Sequence, residues 1–161
     1  MRFVLASHNK KKLSEMSAIL EGLGIEVVPL PDDAPEPEED GKTFEDNARI
    51  KALAAHACTG LPAIADDSGL EVDALGGAPG VYSARYCPGT DEARNRMLLE
   101  NMQDVDECER QARFVCAICC VLPDGEEIHV RGACEGEILT SQQGKGGFGY
   151  DPLFYVREYD C

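Results

Sequence analysis

Asp66 and Asp67 stand side by side between the apolar run Ala63-Ile64-Ala65 and the pair Ser68-Gly69. Adjacent carboxylates at the end of a short buried strand sit on a rigid platform. There they can hold a hard divalent cation through oxygen while one of them orients or deprotonates a water. Side chains alternate along a strand, so only one of the pair need face such a site. Asp-Asp-Ser-Gly is equally an ordinary turn whose side chains bond their own backbone, and the residues alone leave both readings open. Four further carboxylates, Glu36, Glu38, Glu39 and Asp40, lie in the acidic, proline-rich stretch of residues 31–40. Magnesium takes one or two protein carboxylates and completes its octahedron with water and phosphate oxygens, so one glutamate from this stretch and one aspartate would suffice. Without such a partner the stretch is a solvated acidic loop.

Two other segments carry chemistry of the complementary kind. Ser7-His8-Asn9-Lys10-Lys11-Lys12 follows a short apolar run and opens a helical pattern. Lysines at a helix start face the positive end of the macrodipole, which disfavours them unless they share an anion. A phosphate site therefore suits the segment, although it lacks the glycines of a P-loop and also fits a solvated lysine cluster. Gly144-Lys145-Gly146-Gly147-Phe148-Gly149-Tyr150-Asp151-Pro152 combines glycines that permit close backbone approach with two aromatic faces for a purine ring. A flexible connection between strands is the plain alternative. Arg85 either adds positive charge or pairs with one of the many carboxylates. His8, His56 and His129 fall on a loop, a helix and a strand without metal spacing, and the last two read as structural or surface residues.

The surrounding composition limits the partners. Thirty acidic against fifteen basic residues give a net charge of −15, so the chain as a whole repels polyanions and is a poor candidate for nucleic-acid binding. A small anionic ligand would need a local basic pocket. The eight cysteines, at 58, 87, 108, 116, 119, 120, 134 and 161, lack the paired spacing of a secreted scaffold. Cys116 and Cys119 fall within a strand-like run, where residues three apart point to opposite faces and would not converge on one metal. Reduced core thiols in a cytosolic protein are the expectation. The first residues are too soon interrupted by polar ones for a signal peptide, and no apolar run approaches the roughly 20 residues of a membrane span.

The elements that must position these residues follow from periodicity. Residues 2–6 and 26–29 read as strands, with a helix between them carried by Leu13, Met16, Leu20 and Leu23 and stopped at Gly22 and Gly24. Thr43 and Asp46 make a capping box for a second helix, with Phe44, Ala48, Ala52 and Ala55 on one face and Gly60-Leu61-Pro62 ending it. Residues 63–65 are expected as a short buried strand, and residues 76–89 as loop with at most a brief strand. Thr90 caps a third helix through Leu98 and Met102. Residues 112–122 and 127–136 flank Pro123-Asp124-Gly125, a strong hairpin signal. Strands separated by helices, followed by a long hairpin, predict an α/β fold with a mixed sheet.

Taken together, Leu5-Ala6-Ser7-His8-Asn9-Lys10-Lys11-Lys12, Thr43-Phe44-Glu45-Asp46-Asn47-Ala48, Pro62-Ala63-Ile64-Ala65-Asp66-Asp67-Ser68-Gly69-Leu70, Leu75-Gly76-Gly77-Ala78-Pro79-Gly80-Val81-Tyr82-Ser83-Ala84-Arg85-Tyr86 and Gly146-Gly147-Phe148-Gly149-Tyr150-Asp151-Pro152 resemble, in order, the motifs of the inosine triphosphate pyrophosphatase family. The resemblance implies an elongated α/β protein with a long mixed sheet flanked by helices, two lobes around a nucleotide cleft, and a homodimer. It implies Mg2+-dependent hydrolysis of ITP, dITP and XTP between the α and β phosphates. Carried over by position, Ser7, His8, Asn9, Lys10, Lys11 and Lys12 would hold the triphosphate, with Asn9 and Lys12 its direct contacts. Asp67 would be catalytic base and metal ligand, Glu39 the second metal ligand with Glu38 its rival, and Ser68 a substrate contact. Phe148, Gly149, Tyr150 and Asp151 would line the base and sugar end. His8 departs from the Gly common in the family at that place. Family members also continue into a Ser-His-Arg motif whose His and Arg help recognise a 6-oxo purine. Residues 1–161 are accordingly expected to form a single pyrophosphatase domain without its C-terminal segment, which leaves a nucleotide-binding module without turnover as the other reading.

Overall fold

The computed structural model describes residues 1–160; Cys161, one of the eight cysteines and the end of the expected domain, lies outside the described residues. The first half alternates strand and helix: β1 (Arg2–Leu5), α1 (Lys10–Glu21), β2 (Glu26–Pro29), α2 (Phe44–Thr59) and β3 (Ala63–Val72). After α3 (Asp91–Asn101) come β4 (Gln111–Val121), β5 (Glu127–Ile138) and the short β6 (Phe154–Tyr155). The six strands form one sheet in the order β2-β1-β3-β4-β5-β6. It is mixed, since β1 pairs parallel with β2 and β3 while β5 and β6 are antiparallel. The α/β fold expected from periodicity is therefore the one observed. All three helices start where side-chain caps stand, at Asn9, Thr43 and Thr90, and Thr43 with Asp46 closes a reciprocal capping box.

Two expectations change. Asp66-Asp67-Ser68-Gly69 is not a turn: β3 runs unbroken from Ala63 to Val72. Gly69 and Leu70 are buried on the far side of the acidic pair, so the backbone is kept extended by sheet pairing and core packing rather than released into an Asx turn. Residues 80–85, within the stretch expected as loop, form a short 3-10 helix, and another spans residues 73–75 just before it.

The chain falls into two compact units. One holds Met1–Asp67 with Ala117–Arg131; the other holds Ser68–Cys116 and the chain from Gly132 onward. The first unit packs Val4 and Ala6 of the β1 region, Ala63 and Ala65 of β3, and Cys119 and Val121 of β4 against Ala48, Ala52 and Ala55 of α2. Alanine on the helix face lets its backbone approach the sheet closely, which brings polar neighbours on the same helix within reach of strand side chains. Cys119 belongs to this core as expected of the thiols, whereas Cys58, Cys108 and Cys134 are exposed rather than core residues.

In the second unit Leu70, Val72, Leu98, Met102, Ile138, Tyr150 and Leu153 form the core. Arg110 is buried at its edge and donates from Nε to the Ile138 carbonyl at 2.7 Å, from Nη1 to those of Met102 and Val105 at 3.0 and 3.2 Å, and from Nη2 to that of Leu139 at 3.1 Å. One fork of donors thus satisfies carbonyls beyond the end of α3 and at the end of β5. Removing it leaves buried acceptors without partners, each worth about 1–3 kcal/mol. Arg110→Ala is expected to lower unfolding free energy by roughly 3 kcal/mol in a urea titration. Arg110→Lys should recover less than half of that, because an ammonium cannot reproduce the fork.

Candidate functional site

Alternation along β3 sends the two aspartates to different partners. Asp66 is buried, and its Oδ2 accepts from Lys12 Nζ in the first turn of α1 at 2.6 Å. Asp67 Oδ1 lies 3.4 Å from Lys51 Nζ of α2, and the same ammonium lies 3.4 Å from Glu39 Oε2. Lys51 therefore bridges one carboxylate from the strand and one from the acidic loop. Of the two candidate glutamates, Glu39 makes this contact, while Glu38 is exposed.

Asn47, one turn before Lys51 on α2, completes the arrangement. Its Oδ1 accepts from Gly41 N–H at 2.8 Å, pinning the end of the acidic loop to the helix. A Cβ at Gly41 would stand 2.5 Å from that same oxygen and 2.6 Å from Asp46 Cβ, so the close approach requires glycine. Asp67 Oδ2 and Asn47 Nδ2 are both buried without a hydrogen-bond partner. Burial pushes the Asp67 carboxyl above the ordinary aspartate value; Lys51 opposes the shift, as does the Asn47 amide from outside hydrogen-bond geometry, and Glu39 reinforces it. A half-buried, half-satisfied carboxylate beside a second carboxylate is a set of hard oxygen donors that attracts positive charge. Lys51 supplies some of that charge in the structure.

The segment expected to meet phosphate begins α1. Asn9 caps the helix, its Oδ1 accepting from the backbone of Lys11 at 2.9 Å and Lys12 at 3.3 Å, and Ser7 Oγ accepts from Asn9 N–H at 3.1 Å. The Asn9 oxygen is thus engaged with its own helix. His8, Lys10 and Lys11 are exposed, Ser7 and Lys12 are half-buried, and no carboxylate occupies the first turn. The helix start and its lysines consequently present positive potential.

In the second unit the glycine-rich segment is held by α3. Gly149 N–H donates to Asp91 Oδ2 at 2.9 Å, and Asn95 Nδ2 donates to the Gly149 carbonyl at 3.0 Å. Phe148 N–H donates to Asp151 Oδ2 at 2.9 Å, and a Cβ on Gly147, whose φ is 75°, would collide with that carboxylate. Phe148 is 43% exposed. The Tyr150 ring, expected to offer a second face to a base, is instead buried in the core, with its hydroxyl donating to the Ser83 carbonyl at 2.7 Å. A buried phenol needs such an acceptor, and finding it inside the unit commits the ring to structure. Ser68 is exposed, and the Arg85 guanidinium lies over the Tyr82 ring, 5.3 Å from its centroid.

Sequence reasoning missed Lys51, Asn47, Asp91 and Asn95. The first two were legible in principle: they stand four apart on α2, bordering the Ala48, Ala52, Ala55 stripe, where a polar residue needs a partner. Asp91 and Asn95 gave no comparable signal, since partners more than fifty residues away decide their roles.

Fold and site define an α/β protein whose sheet and neighbouring helices present carboxylates and lysines in the arrangement that suits a hard cation and a polyphosphate. The chain belongs to the Ham1 family, whose sequence model matches residues 3–161. It is 54% identical to the dITP/XTP pyrophosphatase of Symbiobacterium thermophilum, over 98% of this chain and 80% of that protein. A dITP/XTP pyrophosphatase of Geobacter sulfurreducens is also 54% identical, over 98% of this chain and 81% of its own length. The HAM1 protein of Coxiella burnetii superposes with a TM-score of 0.91 at 44% identity, covering 99% of this chain and 84% of that one.

Proposed function

We propose that this chain is a nucleoside triphosphate pyrophosphatase that hydrolyses the non-standard purine nucleotides ITP, dITP and XTP to the monophosphate and pyrophosphate, removing them from the nucleotide pool. The observation that carries the reading is Asp67. It is a half-buried carboxylate with one buried, unpartnered oxygen, joined through Lys51 to Glu39, in a chain half identical to dITP/XTP pyrophosphatases. Asp67 and Glu39 would hold a magnesium ion, which fits their all-oxygen donor set and supplies neutralisation of the triphosphate charge. Lys12 and the other cations at the start of α1 bind the phosphates. Asp67 accepts a proton from the attacking water. Water adds in line at the α-phosphorus, the α–β phosphoanhydride bond breaks, and its electron pair leaves with pyrophosphate.

Incubating the chain with dITP and magnesium should release pyrophosphate and dIMP in one step. Orthophosphate as the first product would refute the reading. Nucleotide bound without any pyrophosphate release would favour the binding module instead.

In the same reading the exposed Phe148 belongs to the base and sugar end, with Gly149 and Asp151 shaping the segment, and Ser68 is a substrate contact. Asn95 holds Gly149 from behind, so Asn95→Ala is expected to raise KM for dITP roughly tenfold while changing kcat less than about twofold. Steady-state kinetics measure both, and an unchanged KM would remove Asn95 from the account. The reading also carries a homodimer, which sedimentation of the purified chain measures, and a cytoplasmic location. Among the described residues no helix is long and apolar enough to cross a membrane.

A further inference from the structure

Cys119 of β4 and Glu127 and His129 of β5 bring a thiol, a carboxylate and an imidazole together in the first unit, their ligand atoms all within 4.8 Å of one another. Glu127 and His129 are two apart on one strand and so share a face, and the tight turn at Pro123-Asp124-Gly125 folds that strand back beside β4. His129 Nε2 already lies 3.0 Å from Glu127 Oε2. We propose that these three residues form a second metal site, one that takes a borderline transition cation of the zinc class rather than magnesium.

The donor set sets the preference. Thiolate and imidazole nitrogen favour zinc-like ions over magnesium, which prefers oxygen alone. Around a tetrahedral zinc, bonds of about 2.3 Å to sulfur and 2.0 Å to nitrogen put ligand atoms roughly 3.5 Å apart, so the 3.0 Å His129–Glu127 pair opens slightly while a pair near the 4.8 Å limit closes by about 1 Å. His129 is exposed and can make that movement, whereas Cys119 is fixed in the core. Arg49 of α2 holds Glu127 through two hydrogen bonds, Nε to Oε2 at 2.8 Å and Nη2 to Oε1 at 2.9 Å. Such an outer partner orients a carboxylate ligand, and Oε1 can keep its bond to Arg49 while Oε2 turns to the cation. A water completes the fourth position.

Binding exchanges a proton for the metal. The metal–sulfur bond forms as the S–H proton leaves to solvent. His129 coordinates through the Nε2 lone pair with its proton on Nδ1. The ligands sit on neighbouring strands across a turn, which is why spacing along the sequence gave no sign of them.

Cobalt(II) titrated into the full chain in excess magnesium tests the proposal. One equivalent should produce a near-ultraviolet thiolate-to-cobalt charge-transfer band and release about one proton at neutral pH. Cys119→Ser should abolish the band, and His129→Ala, at an exposed position that the fold tolerates, should weaken cobalt binding at least about 100-fold. Asp67→Asn should leave the band in place. No band, or a band that survives in both the Cys119 and His129 variants because cobalt sits on other cysteines, would overturn the site. A band lost in Asp67→Asn would overturn it as well.

Discussion

Asp67→Asn is expected to reduce pyrophosphate release from dITP by about 10³-fold or more while leaving the fold intact. The substitution keeps the side-chain volume and removes both the proton acceptor and one anionic oxygen of the cation pair. A change of that size in kcat/KM, with an unaltered circular dichroism spectrum, is the expected result; turnover within tenfold of the parent would mean another carboxylate takes the proton. The same variant carries a stability signature of opposite sign. Because burial raises the folded-state pKa of Asp67 above the ordinary 3.8, the folded chain holds this proton more tightly than the unfolded chain. Asp67 therefore costs stability as pH rises from 3.8 through its folded value, and the cost persists at neutral pH. With divalent cations chelated, Asp67→Asn should melt above the parent at pH 7, and the difference should narrow as pH falls toward 3.8.

The sequence disclosed the caps, the strand order along the chain and the acidic pair because those depend on neighbours a few residues away. Thr43 with Asp46, Thr90 before α3, and Pro123-Asp124-Gly125 each act locally. What stayed hidden depends on distant partners. Whether Asp66-Asp67-Ser68-Gly69 turns or extends is decided by the strands beside it and by the burial of Gly69 and Leu70, which no local propensity encodes. Tyr150 reads as an available aromatic until Ser83, sixty-seven residues earlier, is seen to accept its hydroxyl proton. The contact of Glu39 with Lys51, across a loop whose end is fixed by Gly41 and Asn47, likewise depends on partners that no local pattern names.

Lys51→Met separates two roles that one ammonium can play between Glu39 and Asp67. As a resident positive charge it competes with a divalent cation for the same two carboxylates; as a phosphate partner it stabilises charge that the cation alone leaves uncovered. Its removal takes away the largest influence holding the Asp67 pKa down, so burial and Glu39 act unopposed by it and, with divalent cations chelated, the Asp67 carboxyl should keep its proton to higher pH than in the parent. The magnesium concentration for half-maximal activation should fall, because a competing charge 3.4 Å from each carboxylate is gone. If Lys51 also contacts the triphosphate, kcat/KM at saturating magnesium should nevertheless drop about 100-fold, with Lys51→Arg recovering part of the loss. Tighter magnesium activation without any loss of kcat/KM would show that Lys51 only keeps the place of the cation. Weaker activation would contradict the competition itself, since a methionine offers the cation neither repulsion nor an oxygen.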